Sequence, residues 1–108
     1  ADIVVVAFGA SARVARSAVN AAREKGIRAG LFRPVTLWPF PVDGLRATLG
    51  TAKAYLDVEM NMGQMVDDVR LVVEGRAPVE FLGRAGGMIP TPEEVLARIE
   101  EINERIGE

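Results

Sequence analysis

Short apolar runs alternate with stretches of helical periodicity from one end of this chain to the other, and that alternation leaves few folds open. The strand candidates are Ile3 to Phe8, Ala29 to Arg33, Ala54 to Met60 and Val79 to Leu82. Apolar strands separated by amphipathic helices are the signature of repeated βαβ units. The expected fold is α/β: three α/β/α layers around a mainly parallel sheet of about four strands, with helices covering both faces.

The helical stretches carry their own boundaries. After the first strand Gly9-Ala10-Ser11 makes a turn, and Val14, Ala15, Ala18, Val19 and Ala22 form an apolar stripe opposite Arg13, Arg16, Arg23 and Glu24, ending at Gly26. A shorter helix is expected from about Pro41 to Leu49, with Leu45 and Leu49 inward and Gly50 closing it. A third is expected from Gly63 to Glu74, stopped at Gly75. The last opens at Thr91-Pro92-Glu93-Glu94, where threonine caps, proline takes the first helical position and Glu94 completes a capping box. Val95, Leu96, Ile99, Ile102 and Ile106 then supply its buried stripe.

Right-handed crossovers allow four parallel strands few arrangements, and the simplest doubly wound one is the order 2-1-3-4. Its switch point lies between the first and third strands. Ligands of open α/β sheets sit outside the carboxyl ends of such strands, which gathers Gly9, Ser11, Glu59, Asn61, Gly63 and Gln64 as a candidate crevice. Two helix N-termini facing one crevice hold a phosphate or carboxylate without a basic side chain. The plainer reading makes Ser11 and Asn61 helix caps and Glu59 a structural carboxylate. The turn after the first strand has neither the three glycines of a dinucleotide fingerprint nor the lysine of a P-loop.

Composition narrows the function. At 108 residues, 49% hydrophobic and 26% charged, the chain is expected to form one domain spanning residues 1–108, without repeats or linkers. A formal net charge of −2 with scattered basic residues gives no footprint for nucleic acid. No apolar run approaches the roughly 18 to 20 residues that span a bilayer, so no membrane contact is expected. The chain contains no cysteine, which removes disulfides and thiolate-ligated clusters and fits the cytoplasm. It contains no histidine either, removing the commonest general base and metal ligand. Asp67-Asp68 reads as a solvated helix face, and no metal site or catalytic residue is assigned. A strand already under way at Ile3, with no leading methionine, suggests a piece of something longer.

Two connections carry unusual residues. Between Leu31 and Pro41 three prolines force the chain out of the sheet near Arg33, and the only tryptophan, Trp38, lies there with Phe32 and Phe40. Arg33, Trp38 and Phe40 are candidate interface residues, with core cover as the alternative. Gly83-Arg84-Ala85-Gly86-Gly87-Met88-Ile89-Pro90 follows the last strand, and Arg84 is a further interface candidate.

Taken in order, Arg33-Pro34-Val35-Thr36-Leu37-Trp38-Pro39-Phe40-Pro41, Glu59-Met60-Asn61-Met62-Gly63-Gln64-Met65 and Gly83 to Glu94 resemble the carboxy-terminal domain of the α subunit of 2-oxoacid:ferredoxin oxidoreductases, of the 2-oxoglutarate or branched-chain type. The resemblance covers nearly the whole chain. It implies a transketolase C-terminal-like fold, in which an antiparallel strand often precedes the first strand seen here. It also implies a complete enzyme that oxidatively decarboxylates a 2-oxoacid with coenzyme A to an acyl-CoA and reduces ferredoxin, using thiamine diphosphate, magnesium and iron–sulfur clusters. Those cofactors belong to other domains and subunits in the family, and this sequence has no thiamine diphosphate motif. The implied role is therefore assembly and positioning, with other domains of its own α subunit and other oxidoreductase subunits as partners. Asp57 departs from the pattern, because relatives tend to be apolar there; it must lie near an edge or have a partner. The competing reading is a free-standing module that holds a phosphorylated ligand at the two helix N-termini.

Overall fold

In the computed structural model, which describes residues 2–34, 42–59, 66–73, 75–83 and 90–106, strands and helices alternate. The order is β1 (Ile3–Ala7), α1 (Ala10–Glu24), β2 (Ala29–Phe32), α2 (Val42–Arg46), β3 (Ala54–Glu59), α3 (Val66–Val73), β4 (Val79–Gly83) and α4 (Pro92–Ile106). The strands form one parallel sheet in the order β2-β1-β3-β4, as the crossover argument requires. Ile3 stands opposite Ala29 on one side and Ala54 on the other, and Tyr55 stands opposite Val79.

Alternation along the strands divides the core into two layers. Ile3, Val5, Ala7, Leu56 and Val58 face α1 and α4, packing on Ala15, Ala18, Ala22, Val95, Ile99 and Ile102. Val4, Val6 and Tyr55 face α2 and α3, packing on Leu45, Val69, Val72 and Val73. Small alanines on α1 let it lie close to the sheet, while branched residues fill the layer under α4. Tyr55 is fully buried because its hydroxyl finds a partner: Thr48 Oγ1 lies 2.6 Å away and itself donates to the Leu45 carbonyl at 2.6 Å.

The helix ends follow local chemistry. The Ile27 N–H donates to the Ala22 carbonyl and the Gly26 N–H to the Arg23 carbonyl, each at 3.0 Å, while Gly26 has φ 84°. That is a Schellman ending, which favours glycine at the left-handed position. At α4 the Thr91 hydroxyl accepts from the Glu94 N–H at 3.2 Å and the Glu94 carboxylate accepts from the Thr91 N–H at 3.1 Å, so the capping box is formed. The second helix is shorter than its sequence suggests, stopping at Arg46 instead of Leu49. Its hydrogen bonds tighten there, with the Thr48 N–H donating to Leu45 and the Leu49 N–H to Arg46, and the turns run on through Gly50. The start expected at Gly63 for the third helix lies outside the described residues. Among the described residues no helix is long and apolar enough to cross a membrane.

Two substitutions separate core from cap. Leu56 is fully buried in the central layer, and Leu56→Ala is expected to lower unfolding free energy by about 2–5 kcal/mol. Thr91→Ala is expected to cost only about 1 kcal/mol. Chemical denaturation of both variants against the parent chain checks the ranking.

Candidate functional site

The carboxyl ends of β1 and β3 lie side by side, with Ala7 paired to Val58. Gly9 and Glu59 therefore meet at one rim of the sheet, as the switch-point argument expects. Gly9 forms the N-cap of α1 with φ 64°, a conformation glycine adopts without penalty, and no other atom stands where a Cβ would lie.

Ser11 corrects the sequence reading. It lies inside the first turn of α1 and does not cap it: no side chain caps this helix, and the Ser11 hydroxyl is buried without a hydrogen-bond partner. The helix begins two residues earlier than a serine cap requires, because Gly9 takes the non-helical cap position and the Ala12 N–H donates to its carbonyl at 3.0 Å.

Glu59 is buried at the end of β3, and alternation places it with Tyr55 and Asp57 on the α2/α3 face, whereas α1 covers the other face. The rim thus brings together the backbone of Gly9 and the strand carrying Glu59, while Ser11 and the Glu59 side chain look to opposite layers. Asn61, Gly63 and Gln64, and with them the second helix N-terminus, lie outside the described residues, as do Trp38, Phe40 and Arg84. Arg33 is exposed just past β2 and, with Phe8, Gly9 and Pro34, lines a rim cavity of about 290 Å³. β1 stops at Ala7, one residue short of the strand end expected at Phe8, which is left 37% exposed on this rim.

Asp57 is the group whose setting sequence reading left open. It is not near an edge. It sits mid-strand between Val6 and Phe81, fully buried. As a carboxylate it finds no donor for either oxygen. Its partner is Glu59, two residues on and on the same face, and two carboxylates can share a hydrogen bond only by holding a proton between them. Burial, then the hydrogen bond to Glu59, then Glu59's negative charge push the Asp57 carboxyl from its usual 3.8 up to about 9, with the Arg70 charge on α3 pulling the other way. The period-two spacing puts Asp57 and Glu59 on one face of the strand, and the pairing of β3 with β1 and β4 sets that face inside the sheet's buried centre. On α3, exposed Asp67 stands 3.9 Å from Arg70, and among the described residues no cluster of three or more metal-ligating side chains forms.

The pH dependence follows from linkage. Between about pH 4 and pH 9 the unfolded chain has an ionised Asp57 and the folded chain a protonated one, so the unfolded state binds fewer protons and stability falls as pH rises. Asp57→Asn keeps the hydrogen bond without the proton. It is expected to flatten that decline and to raise stability at pH 8 by on the order of 1 kcal/mol or more, measured by denaturant unfolding from pH 5 to 9.

Residues 1–95 match the family described as pyruvate:ferredoxin oxidoreductase core domain II. The chain is 46% identical, over 94% of its length, to the ketoisovalerate oxidoreductase subunit VorB of Methanothermobacter thermautotrophicus, and 43% identical, over 92%, to the 2-oxoglutarate synthase subunit KorA of Methanothermobacter marburgensis. It spans 29% and 26% of the length of these curated relatives. Two solved structures share its fold: a split-gene transketolase described as an inactive β4 tetramer, with TM-score 0.79 and 19% identity, and the 2-oxoglutarate:ferredoxin oxidoreductase of Magnetococcus marinus, with TM-score 0.77 and 24% identity. Each match covers 95% of this chain, and 38% and 18% of the respective structures. The chain belongs to the pyruvate:ferredoxin oxidoreductase core domain II family.

Proposed function

We propose that this domain is the assembly and positioning element of a 2-oxoacid:ferredoxin oxidoreductase α subunit and carries no reaction by itself. The observation behind this reading is one of proportion: nearly the whole chain aligns with oxidoreductase subunits, yet it accounts for under a third of their length. The sequence adds that it has neither cysteine nor histidine, so the thiolates and imidazoles of redox and acid–base chemistry must come from elsewhere.

By this reading the complete enzyme oxidatively decarboxylates a 2-oxoacid with coenzyme A to an acyl-CoA and passes electrons to ferredoxin, in the cytoplasm. Thiamine diphosphate, magnesium and iron–sulfur clusters are held by other domains and subunits. The Gly9 rim, Arg33, Trp38, Phe40, Arg84 and the Glu59 to Gln64 corner then serve contacts within the subunit and between subunits. Relatives named for ketoisovalerate and for 2-oxoglutarate stand at similar identity, so the proposal is for 2-oxoacids as a class.

A second reading is favoured by the cavity at Phe8, Gly9, Arg33 and Pro34, where the start of α1 and a guanidinium offer an anion pocket to a phosphorylated ligand. The two readings separate in one pair of measurements. Mixed with an oxidoreductase complex lacking this domain, the chain is expected to co-elute with it on size exclusion and to restore 2-oxoacid-dependent viologen reduction. Failure to do either overturns the assembly role. The module reading instead requires saturable calorimetric binding of coenzyme A to the chain alone, weakened by Arg33→Ala and by Asn61→Ala.

A further inference from the structure

α3 covers the layer that holds Asp57, and its hold on the sheet is almost wholly apolar. Val66, Val69, Val72 and Val73 are its buried side chains, while Leu71 is 70% exposed. Among the described residues no side chain of α3 makes a hydrogen bond or ion pair to another element, and Arg70 meets Asp67 within the helix itself. α4, on the opposite face, is tied far more firmly. Its Arg98 and Arg105 reach Glu80 on β4, Arg98 also donates to the Phe81 carbonyl at 3.3 Å, and Glu100 meets Lys25 at the end of α1. An eight-residue helix with few polar ties opens at lower cost than the body of the fold.

Beneath α3 lies the carboxyl pair. Asp57 and Glu59 share this side of β3, and neither Asp57 oxygen has a donor. β1 and β4 flank Asp57 with Val6 and Phe81, which carry no charge, while Glu80 faces the other layer and its arginines. On the Asp57 side of β3 the Tyr55 hydroxyl is taken by Thr48. α2 turns Leu45 inward and leaves Asp43 and Arg46 exposed; on α3, Asp67 and Arg70 are exposed and Asp68 is half-buried. Arg70 is the cation whose charge reaches Asp57. Two carboxyls in a dry layer stay together while a proton lies between them. Once it leaves, they are like charges without a donor, and water reaches them only when a covering element moves.

We propose that α3 is a proton-held cover: it stays seated on β3 while Asp57 and Glu59 share a proton, and it lifts as a unit, with α1 and α4 in place, when that proton is released. The inference goes beyond the assembly reading and does not rest on it. Its direction with pH follows from the proton count. With α3 seated, Asp57 keeps its proton up to about pH 9; with α3 lifted, the carboxyl meets water and titrates near its usual 3.8. The lifted state binds fewer protons, so its population rises about tenfold per pH unit between roughly pH 5 and 8.

Native-state hydrogen exchange of the 108-residue chain tests this, with rates corrected for intrinsic pH dependence and followed in low concentrations of urea. The amides of Arg70, Leu71, Val72 and Val73 are expected to be protected at least tenfold less than those of Val19 and Ala22 in α1, through an opening that urea barely affects. Their protection should fall about tenfold per pH unit from pH 5 to 8, and Asp57→Asn should abolish that slope. If circular dichroism shows that Asp57→Asn does not fold, Glu59→Gln takes its place: it removes a like charge and keeps a donor for Asp57, so the slope should level off at a lower pH than in the parent. Equal protection and equal urea dependence in α3 and α1 would overturn the proposal, because only global unfolding would then release the proton. So would an α3 opening that ignores pH, a slope that survives Asp57→Asn, or a levelling point that Glu59→Gln leaves unmoved.

Discussion

Burial of the two central strands on both faces is the constraint from which the rest of this domain follows. Every residue of Ile3–Ala7 and Ala54–Glu59 is buried, so neither strand has a wet side on which to place polar groups. A parallel pair in that position needs a helix after each strand, and those helices divide into α1 with α4 on one face and α2 with α3 on the other. The carboxyl ends of β1 and β3 are then forced to one rim, where the turn at Gly9 and the end of β3 converge.

The same constraint makes Asp57 unusual. A carboxyl on an edge strand or a half-covered sheet would reach water; on β3 it cannot, and it keeps a proton by sharing with Glu59.

Much of the fold was legible because its signals are local and periodic. The apolar runs marked all four strands within a residue or so, the Gly26 stop and the Thr91 capping box marked helix ends, and handedness reduced the sheet to a single simple order, which the strand pairing bears out. Where the reading slipped, a local preference met a competitor. Ser11 has the chemistry of a cap, but Gly9 adopts the cap geometry first; the second helix has the pattern to reach Leu49, but three-residue hydrogen bonds and the Thr48 hydroxyl tighten it after Arg46. The candidate site was legible only in part, because Gly9, Glu59 and Arg33 lie on the rim but the layers to which their side chains turn depend on the whole strand register.

By itself the sequence determined the class of fold, the strand order and the family, because periodicity, caps and ordered motifs are properties of neighbouring residues. Only the tertiary structure decided which groups end up together: a carboxyl pair in a dry layer, and an aromatic ring and an arginine at one rim. Such meetings depend on which face each strand presents and which strands it pairs with, and those are settled by packing over the whole chain.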